Sequence, residues 1–222
     1  MKGLKSNEES IRILLYINNV NSYHMTNLKE ICPDLESNDP IEKAWAMCLE
    51  SESKDPIELM KIMMEYPGVP FHGPVHHVLV PFAVLTAYKN SGGDLDLPAA
   101  LEVAHKRGSI IPAAVCGHWG SCGAALGCGI AFSIITKDGP LAGEIWSKDQ
   151  IMVSNCLSAI AQYGGPRCCK RDTYLAIPVA NDFFEDYLGV RMEVPEKITC
   201  FVSEKNSVCL KEVCPFNPDY KG

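Results

Sequence analysis

Cysteine is the residue that most constrains what this chain can fold into. It accounts for 11 of the 222 residues, and all but two of the cysteines follow residue 115. An odd number of cysteines cannot be paired completely in disulfides within one chain. Residues 1–23 lack the apolar core of a signal peptide. We therefore expect a cytoplasmic protein, in which clustered cysteines serve metal or redox chemistry more often than disulfides.

The composition argues against several classes of function. Hydrophobic residues make up 47% and charged residues 21% of the chain, which is typical of globular domains rather than of disordered or coiled-coil proteins. The net charge is −7, the reverse of the basic excess expected of a non-specific nucleic-acid binder. The sequence contains no run of about 18 apolar residues. We expect neither a nucleic-acid partner nor a membrane.

Capping residues and prolines predict a mainly α fold. Asp39-Pro40 and Asp55-Pro56 each combine an N-cap with proline at the first helical position, and they predict helices to about residues 50 and 66. Similar start and stop signals predict further helices at about residues 6–20, 75–90, 97–107, 121–136, 147–163 and 168–188. Two internal prolines are expected to bend two of these helices, at positions 81 and 178. Polar and apolar residues alternate within residues 189–202, and this pattern predicts a strand.

We therefore predict a compact multi-helix domain, mainly α, with a short irregular or β cysteine-rich C-terminal tail. A boundary is expected near residue 68, after which all the unusual motifs occur. Residues 1–67 are predicted to form an N-terminal helical segment that packs on the main domain. Residues 68–222 are predicted to form the cysteine-rich helical domain, which includes a metal-binding tail at residues 198–216.

Three cysteines in the tail predict a metal site. Cys200, Cys209 and Cys214 occur in the pattern C-x8-C-x4-C-P-F. Because the tail has little apolar material, a metal or a cluster would supply its folding energy. Three thiolates leave one ligand missing from a closed tetrahedral zinc site, so either a fourth ligand comes from elsewhere or one position is open for chemistry. The alternative is three free cysteines.

A pair of adjacent cysteines follows a turn in the pattern G-G-P-R-C-C-K-R. Cys168 and Cys169 stand at the predicted start of a helix, with Arg167, Lys170 and Arg171 around them. A helix dipole and nearby positive charge both lower the pKa of a thiol, so we predict a catalytic thiolate here. The three cations are predicted to hold an anionic substrate. The alternative is that one cysteine is a buried structural residue, that the other has no specific role and that the cations are solvated.

The segment A-V-C-G-H-W-G-S-C-G-A-A-L-G-C-G-I combines a glycine-rich loop with a small-residue helix. Glycines let the backbone approach a ligand closely, so we predict Cys116 as a metal ligand and Cys122 as a catalytic thiol. His118 and Trp119 are predicted to bind substrate as a proton donor and a stacking wall. The same segment also suits tight helix packing, to which we assign Cys128.

Three histidines fall within the segment F-H-G-P-V-H-H, at a predicted loop-to-helix junction. Such a cluster suits metal ligation or acid–base chemistry. We predict His72 and His77 as metal ligands and His76 as a catalytic residue. The alternative is a structural role for all three. The remaining cysteines are predicted to be small core residues, at positions 32, 48 and 156.

These motifs together resemble an uncharacterised cysteine-rich prokaryotic domain family, a domain of unknown function. The resemblance rests on H-G-P-V-H-H, C-G-H-W-G-S-C-G-A-A, G-G-P-R-C-C-K-R and the terminal C-x8-C-x4-C-P-F, and it covers about residues 68–216. Members of that family are sometimes attached to SAM-dependent methyltransferases, which implies a methyltransferase as a partner enzyme. The segment 121–130 with the Cys169 region is also similar to putative redox-active proteins named for a C-G-C-A-x-x-G pattern.

The first functional hypothesis is an iron–sulfur enzyme with redox or sulfur-transfer chemistry on a small anionic substrate. The tail cysteines would bind the cluster, and Cys168 or Cys169 would complete the site or react. Cys116, Cys122 and His76 would line the same cavity. A second hypothesis is a zinc-stabilised accessory module without turnover. A third is a metal-free dithiol redox protein.

Overall fold

The structure is a computed structural model that describes residues 39–200 and 202–221. The described residues form α1 Pro40–Glu50, α2 Pro56–Met64, α3 His76–Asn90, α4 Leu97–Ser109, α5 Val115–His118, α6 Gly123–Thr136, α7 Glu144–Ala161, α8 Cys169–Leu188 and the 3-10 helices Ser203–Lys205 and Lys211–Val213. The mainly α fold is confirmed. Within the described residues there is no β-strand, so the strand expected at residues 189–202 is wrong for the part of that range that the structure describes.

Local capping explains where several helices begin. The side chain of Asp39 accepts the backbone N–H of Ile41 at 2.8 Å, and that of Asp55 accepts the N–H of Ile57 at 2.7 Å. The predicted starts of α1 and α2 are therefore confirmed. The predicted start of α7 at Ser147 is wrong, because the helix begins directly after Gly143, whose φ is +62°. The helix predicted at residues 6–20 lies outside the described residues.

Helix α3 forms the centre of the fold. Every residue from His76 to Tyr88 is buried, and the helix packs against α1, α2, α4, α6 and α8. A helix that is apolar on all sides is stable only when other elements surround it. It runs continuously through Pro81, and α8 likewise contains Pro178.

Residues 38–222 form one compact unit, to which α1 and α2 belong. Both helices pack on α3. Among the residues that the structure describes, no helix is both long and apolar enough to cross a membrane.

The chain after α8 is held by a side chain instead of by a strand partner. Helix α8 ends at Gly189, which adopts a φ of +68° that favours glycine. The buried Asn181 side chain accepts the N–H of Met192 at 2.8 Å and donates to its carbonyl at 3.1 Å. The next N–H, of Glu193, donates to the carbonyl of Lys54 at 2.9 Å. These bonds replace a β-ladder and return the chain across the α1–α2 connection.

Replacing Asn181 with Ala is expected to destabilise the protein by about 1–3 kcal/mol, because it leaves the N–H of the buried Met192 without a partner and removes one of the two donors to the Met192 carbonyl, the other being the N–H of Val194. Urea unfolding followed by circular dichroism measures the change. The control is Asp182→Ala, an exposed neighbour on the same helix, which should change the free energy of unfolding by less than about 0.5 kcal/mol. Equal unfolding midpoints for the two variants would contradict the assigned role of Asn181.

Candidate functional site

Two adjacent residues at the start of α8 organise the candidate site. Cys168 has an extended backbone, with φ −141° and ψ 110°, and Cys169 is the first helical residue. The two side chains line different spaces. Cys168 lines a narrow space with Cys200, Cys209 and Cys214, which we call the tail pocket. Cys169 lines a separate cavity beside α6, which forms part of what we call the cleft.

The tail pocket brings together four cysteines from distant parts of the sequence. Its volume is about 20 Å³, and aromatic side chains close it, namely Phe71, Tyr174 and Phe216. Of the cysteines that line it, the Cys214 side chain is buried and the others are half-buried. The sequence predicted three of these four as metal ligands and suggested that Cys168 or Cys169 completes the site, and of these two it is Cys168 that lines the tail pocket.

Hydrogen bonds within the tail fix these cysteines. The N–H of Cys200 donates to the Phe216 carbonyl at 2.7 Å and joins the two ends of the tail. The N–H of Lys211 donates to the sulfur of Cys209 at 3.3 Å, which is the kind of contact that stabilises a thiolate or a ligating sulfur.

Asn206 also holds the tail pocket, and sequence reasoning missed it. Its side chain is 5% exposed, and its Nδ2 donates to the sulfur of Cys168 at 3.8 Å. Its Oδ1 accepts the N–H of Val208 at 3.1 Å and lies 3.3 Å from Nε2 of His72. No motif marks this asparagine, because its importance depends on contacts with residues far away in the sequence.

A buried ammonium group lies beside these thiols. Lys170 is 3% exposed, and its Nζ has no hydrogen-bond partner among the described residues. Nζ stands 3.8 Å from the centre of the Phe71 ring. Burial lowers the pKa of Lys170, and negative charge on Cys168, Cys169 or Cys200 raises it. The side chain therefore faces the cysteines, whereas we predicted that it would hold a substrate.

Burial shifts the pKa values of the two adjacent cysteines upward, opposite to the direction that we predicted. Burial raises the pKa of Cys168, although the backbone N–H groups of Arg171 and Lys170 oppose the rise. Burial also raises the pKa of Cys169, against the N–H of Gly73. The cost of removing a thiolate from water therefore exceeds the stabilisation from the helix start and the cations.

The cleft consists of two adjoining cavities, an inner one of about 230 Å³ and an outer one of about 710 Å³. Cys116, Cys122, Arg167 and Asp172 line both. Cys169 and the three clustered histidines line the inner cavity. The prediction that Cys116, Cys122 and His76 share a cavity is confirmed, but the prediction that this cavity includes the tail cysteines is wrong.

A chain of polar contacts runs from Cys122 into the interior. The Cys122 sulfur lies 3.7 Å from Oδ2 of Asp172, and Oδ1 of Asp172 lies 3.4 Å from Nε of Arg171. Nη2 of Arg171 donates to the carbonyls of Gly164 and Pro166 at 2.8 and 3.0 Å. Asp172 and Arg171 are 4% and 3% exposed. Arg171 is therefore occupied within the protein, although we predicted that it would bind substrate.

The first two groups of this chain both have raised pKa values. Burial raises the pKa of Cys122 to about 12, and negative charge on Asp172 adds to the rise. Burial also raises the pKa of Asp172, against the positive charge of Arg171. Asp172 was not among the predicted site residues, although its position one helical turn after Cys168 and Cys169 could have indicated it.

The histidines connect loops to the rest of the fold. Nε2 of His76 lies 3.0 Å from the Pro70 carbonyl, and Nδ1 of His77 lies 3.3 Å from the Ile111 carbonyl. Burial lowers the pKa of His76 to about 4 and also lowers the pKa values of His72 and His77. These contacts favour the structural alternative, with neutral imidazoles that order the walls of the cleft.

The other predicted residues lie in three environments. Arg167 is exposed and lines both cavities, and His118 lines the outer one. Trp119 is 70% exposed and lines neither cavity. The predicted core cysteines within the described residues are fully buried, at positions 48, 128 and 156.

Within residues 39–200 and 202–221, no group of three or more His, Cys, Asp or Glu side chains is arranged to hold a metal ion. The metal ligands predicted from the sequence therefore stay predictions.

A family model described as a family of unknown function (DUF5714) matches residues 45–217. The match contains the described helices from within α1 onward, the tail pocket and the cleft. It confirms the resemblance to an uncharacterised domain, and the implied attachment to methyltransferases stays a prediction. No curated protein and no solved structure matches the chain.

Gly123→Ala is expected to destabilise the protein by about 1–3 kcal/mol and to disturb the cleft, because the new Cβ would lie 2.0 Å from Cδ2 of His77. The measurement is chemical unfolding. Gly117→Ala is the control, since its Cβ would meet nothing within 4 Å. If both variants unfold at the wild-type midpoint, the close packing of His77 against α6 does not contribute to stability.

Proposed function

The chain belongs to DUF5714, a family of unknown function, and from this premise we propose that it is an iron–sulfur redox protein. The tail pocket would hold the cluster, and the neighbouring cleft would bind a small anionic substrate. The proposed ligands are Cys168, Cys200, Cys209 and Cys214. A bound cluster would supply or accept single electrons.

The observation that carries this proposal is that four cysteines from distant parts of the sequence line one narrow space. Four cysteine thiolates are the usual ligand set of two-iron and four-iron clusters. Three of these residues come from the tail, whose described part contains only two 3-10 turns as regular structure. A bound cluster would therefore stabilise the folded tail.

The buried ammonium of Lys170 supports the same interpretation. A buried cation without a partner is strongly destabilising unless negative charge lies close to it. The candidate charges are the thiolates of Cys168, Cys169 and Cys200. A four-thiolate centre carries net negative charge, so metal binding would give Lys170 the counter-charge that neutral thiols do not provide.

Two observations bear on the choice between a cluster and a single zinc ion, and they point in opposite directions. A zinc ion needs its sulfur ligands at about 2.3 Å from one point, and the described cysteines do not converge in that way. In a cluster the ligands bind different iron atoms, so they stand further apart. The small volume of the tail pocket, about 20 Å³, instead favours zinc, and a zinc-stabilised module is therefore the second candidate.

Protein purified without oxygen is expected to contain iron and acid-labile sulfide in equal amounts, with visible absorption from sulfur-to-iron charge transfer. Cys209→Ser should remove most of this iron, because it replaces one proposed ligand. Cys116→Ser is the matched control in the cleft and should retain the iron. The measurements are elemental analysis, sulfide assay and optical spectroscopy.

Each other outcome has a definite meaning. About one zinc per chain, lost in Cys209→Ser, would replace the redox proposal with the zinc-stabilised module. No metal in any preparation would contradict both and leave the metal-free dithiol hypothesis. Full retention of iron by Cys209→Ser would exclude that residue as a ligand.

Lys170→Met is expected to lower the midpoint potential of the cluster, because a buried positive charge stabilises the more negative reduced state. A spectroscopic redox titration of iron-loaded protein measures the shift. The control is Lys106→Met, whose ammonium pairs with Glu102 on α4. A potential equal to that of the control would show that Lys170 is not the counter-charge of the cluster.

A further inference from the structure

We propose that the cleft is a thiol–disulfide exchange site for small anionic disulfides, in which Cys122 attacks the substrate and Cys169 resolves the mixed disulfide. This inference deepens the proposed function and rests on it for the supply of electrons. It concerns a part of the molecule that the tail pocket does not include, and different variants test it.

Cys122 has the position of a nucleophile. It directly precedes α6, and its side chain lines both the inner and the outer cavity. Its sulfur contacts a carboxylate oxygen of Asp172 at 3.7 Å. A thiol that is half-buried at a cavity wall and bonded to a carboxylate has both access to a substrate and an acceptor for its proton.

Asp172 is held in place to accept that proton. It is 4% exposed, and Arg171 pairs with the carboxylate oxygen that faces away from Cys122. Arg171 is itself fixed by the carbonyls of Gly164 and Pro166. Cys122 is therefore in contact with a base, Asp172, and Arg171 orients that base. Activated nucleophiles in enzymes have this arrangement.

Cys169 is the resolving thiol because of its place on α8. It lines the inner cavity with Cys122 and Asp172, and it stands one helical turn before Asp172 on the same helix. It is also covalently adjacent to Cys168, the proposed cluster ligand. A disulfide that contains Cys169 would therefore lie next to the electron source. Cys116 lines the same cavity but has no such connection.

The class of substrate follows from the walls of the cleft. Arg167 is exposed and lines both cavities, which favours an anionic molecule. The outer cavity, of about 710 Å³, has the size of a small-molecule site. The proposed electrophile is a disulfide, because a thiol that passes its proton to a neighbouring base can exchange with a disulfide directly.

The reaction balances in two exchanges. The sulfur of Cys122 bonds to one substrate sulfur, the substrate disulfide breaks, and the first thiol leaves with the proton that Asp172 accepted from Cys122. Cys169 then attacks the sulfur of Cys122, and the second substrate thiol leaves with the proton of Cys169. Two electrons and two protons reduce the Cys122–Cys169 disulfide. An external one-electron donor would supply these electrons one at a time, and a cluster held by the tail-pocket cysteines would relay them.

The test uses dithiobis(nitrobenzoate), an anionic aromatic disulfide, at one equivalent with reduced iron-loaded protein. Both halves of the reagent should be released as coloured thiolate, and peptide mapping should find a Cys122–Cys169 disulfide. In Cys169→Ser only one half should be released, with the other attached to Cys122. Cys48→Ala is the cysteine control, because Cys48 is fully buried in α1 and lines neither cavity, and it should release both halves.

Two variants examine the nucleophile and its base. Cys122→Ser should slow the first release at least tenfold, and Asp172→Asn should slow it about tenfold without changing the number of thiols titrated after denaturation. Unfolding midpoints of both variants establish that they fold. A Cys116–Cys122 disulfide in the wild type, or first labelling at another cysteine, would overturn the assignment.

Failure of this inference and failure of the proposed function are distinguishable. Iron-loaded protein that does not exchange with the reagent would contradict the cleft chemistry and leave the cluster proposal standing. Exchange at Cys122 and Cys169 in protein that binds no iron would establish the thiol pair and contradict the cluster. In iron-loaded protein, dithionite should restore both thiols after oxidation, and a disulfide that persists while the cluster is reduced would contradict the electron route.

Discussion

The junction between extended and helical backbone at Cys168 and Cys169 is the constraint on which both sites depend. One residue precedes α8 and the other begins it, and their side chains line two separate spaces. At the start of α8, Cys168 lines the tail pocket with the tail cysteines, and Cys169 lines the inner cavity with residues at the start of α6. Two spaces with different sets of cysteines therefore meet at a single peptide bond.

Buried charge gives these sites their character. Lys170, Arg171 and Asp172 follow the two cysteines, and all three are almost completely buried in the first turn of α8. Arg171 and Asp172 compensate each other, whereas Lys170 faces thiols and an aromatic ring. Charges that were expected to face a substrate thus act inside the protein, where the low dielectric strengthens their effect on neighbouring groups.

Local signals account for the parts of the structure that could be predicted. Asp39 and Asp55 cap their helices as their sequence contexts indicate, because an N-cap depends on the next two or three residues. The strand predicted after α8 does not form. Alternating polar and apolar residues form a strand only beside a partner strand, and the backbone of Met192 instead pairs with the side chain of Asn181. Asn206 was missed because its role depends on residues far away in the sequence, whereas the position of Asp172 one helical turn after Cys168 and Cys169 could have indicated it.

The sequence by itself determined the helical class, the starts of several helices and the concentration of cysteines that makes thiol or metal chemistry the leading expectation. Only the tertiary structure decided that Cys168 joins the tail cysteines while Cys169 joins Cys122, and that burial raises the pKa values of these thiols. Capping and turn signals are local, so a sequence displays them. Convergence and desolvation depend on which distant segments cover a residue, and those are properties of the packed chain.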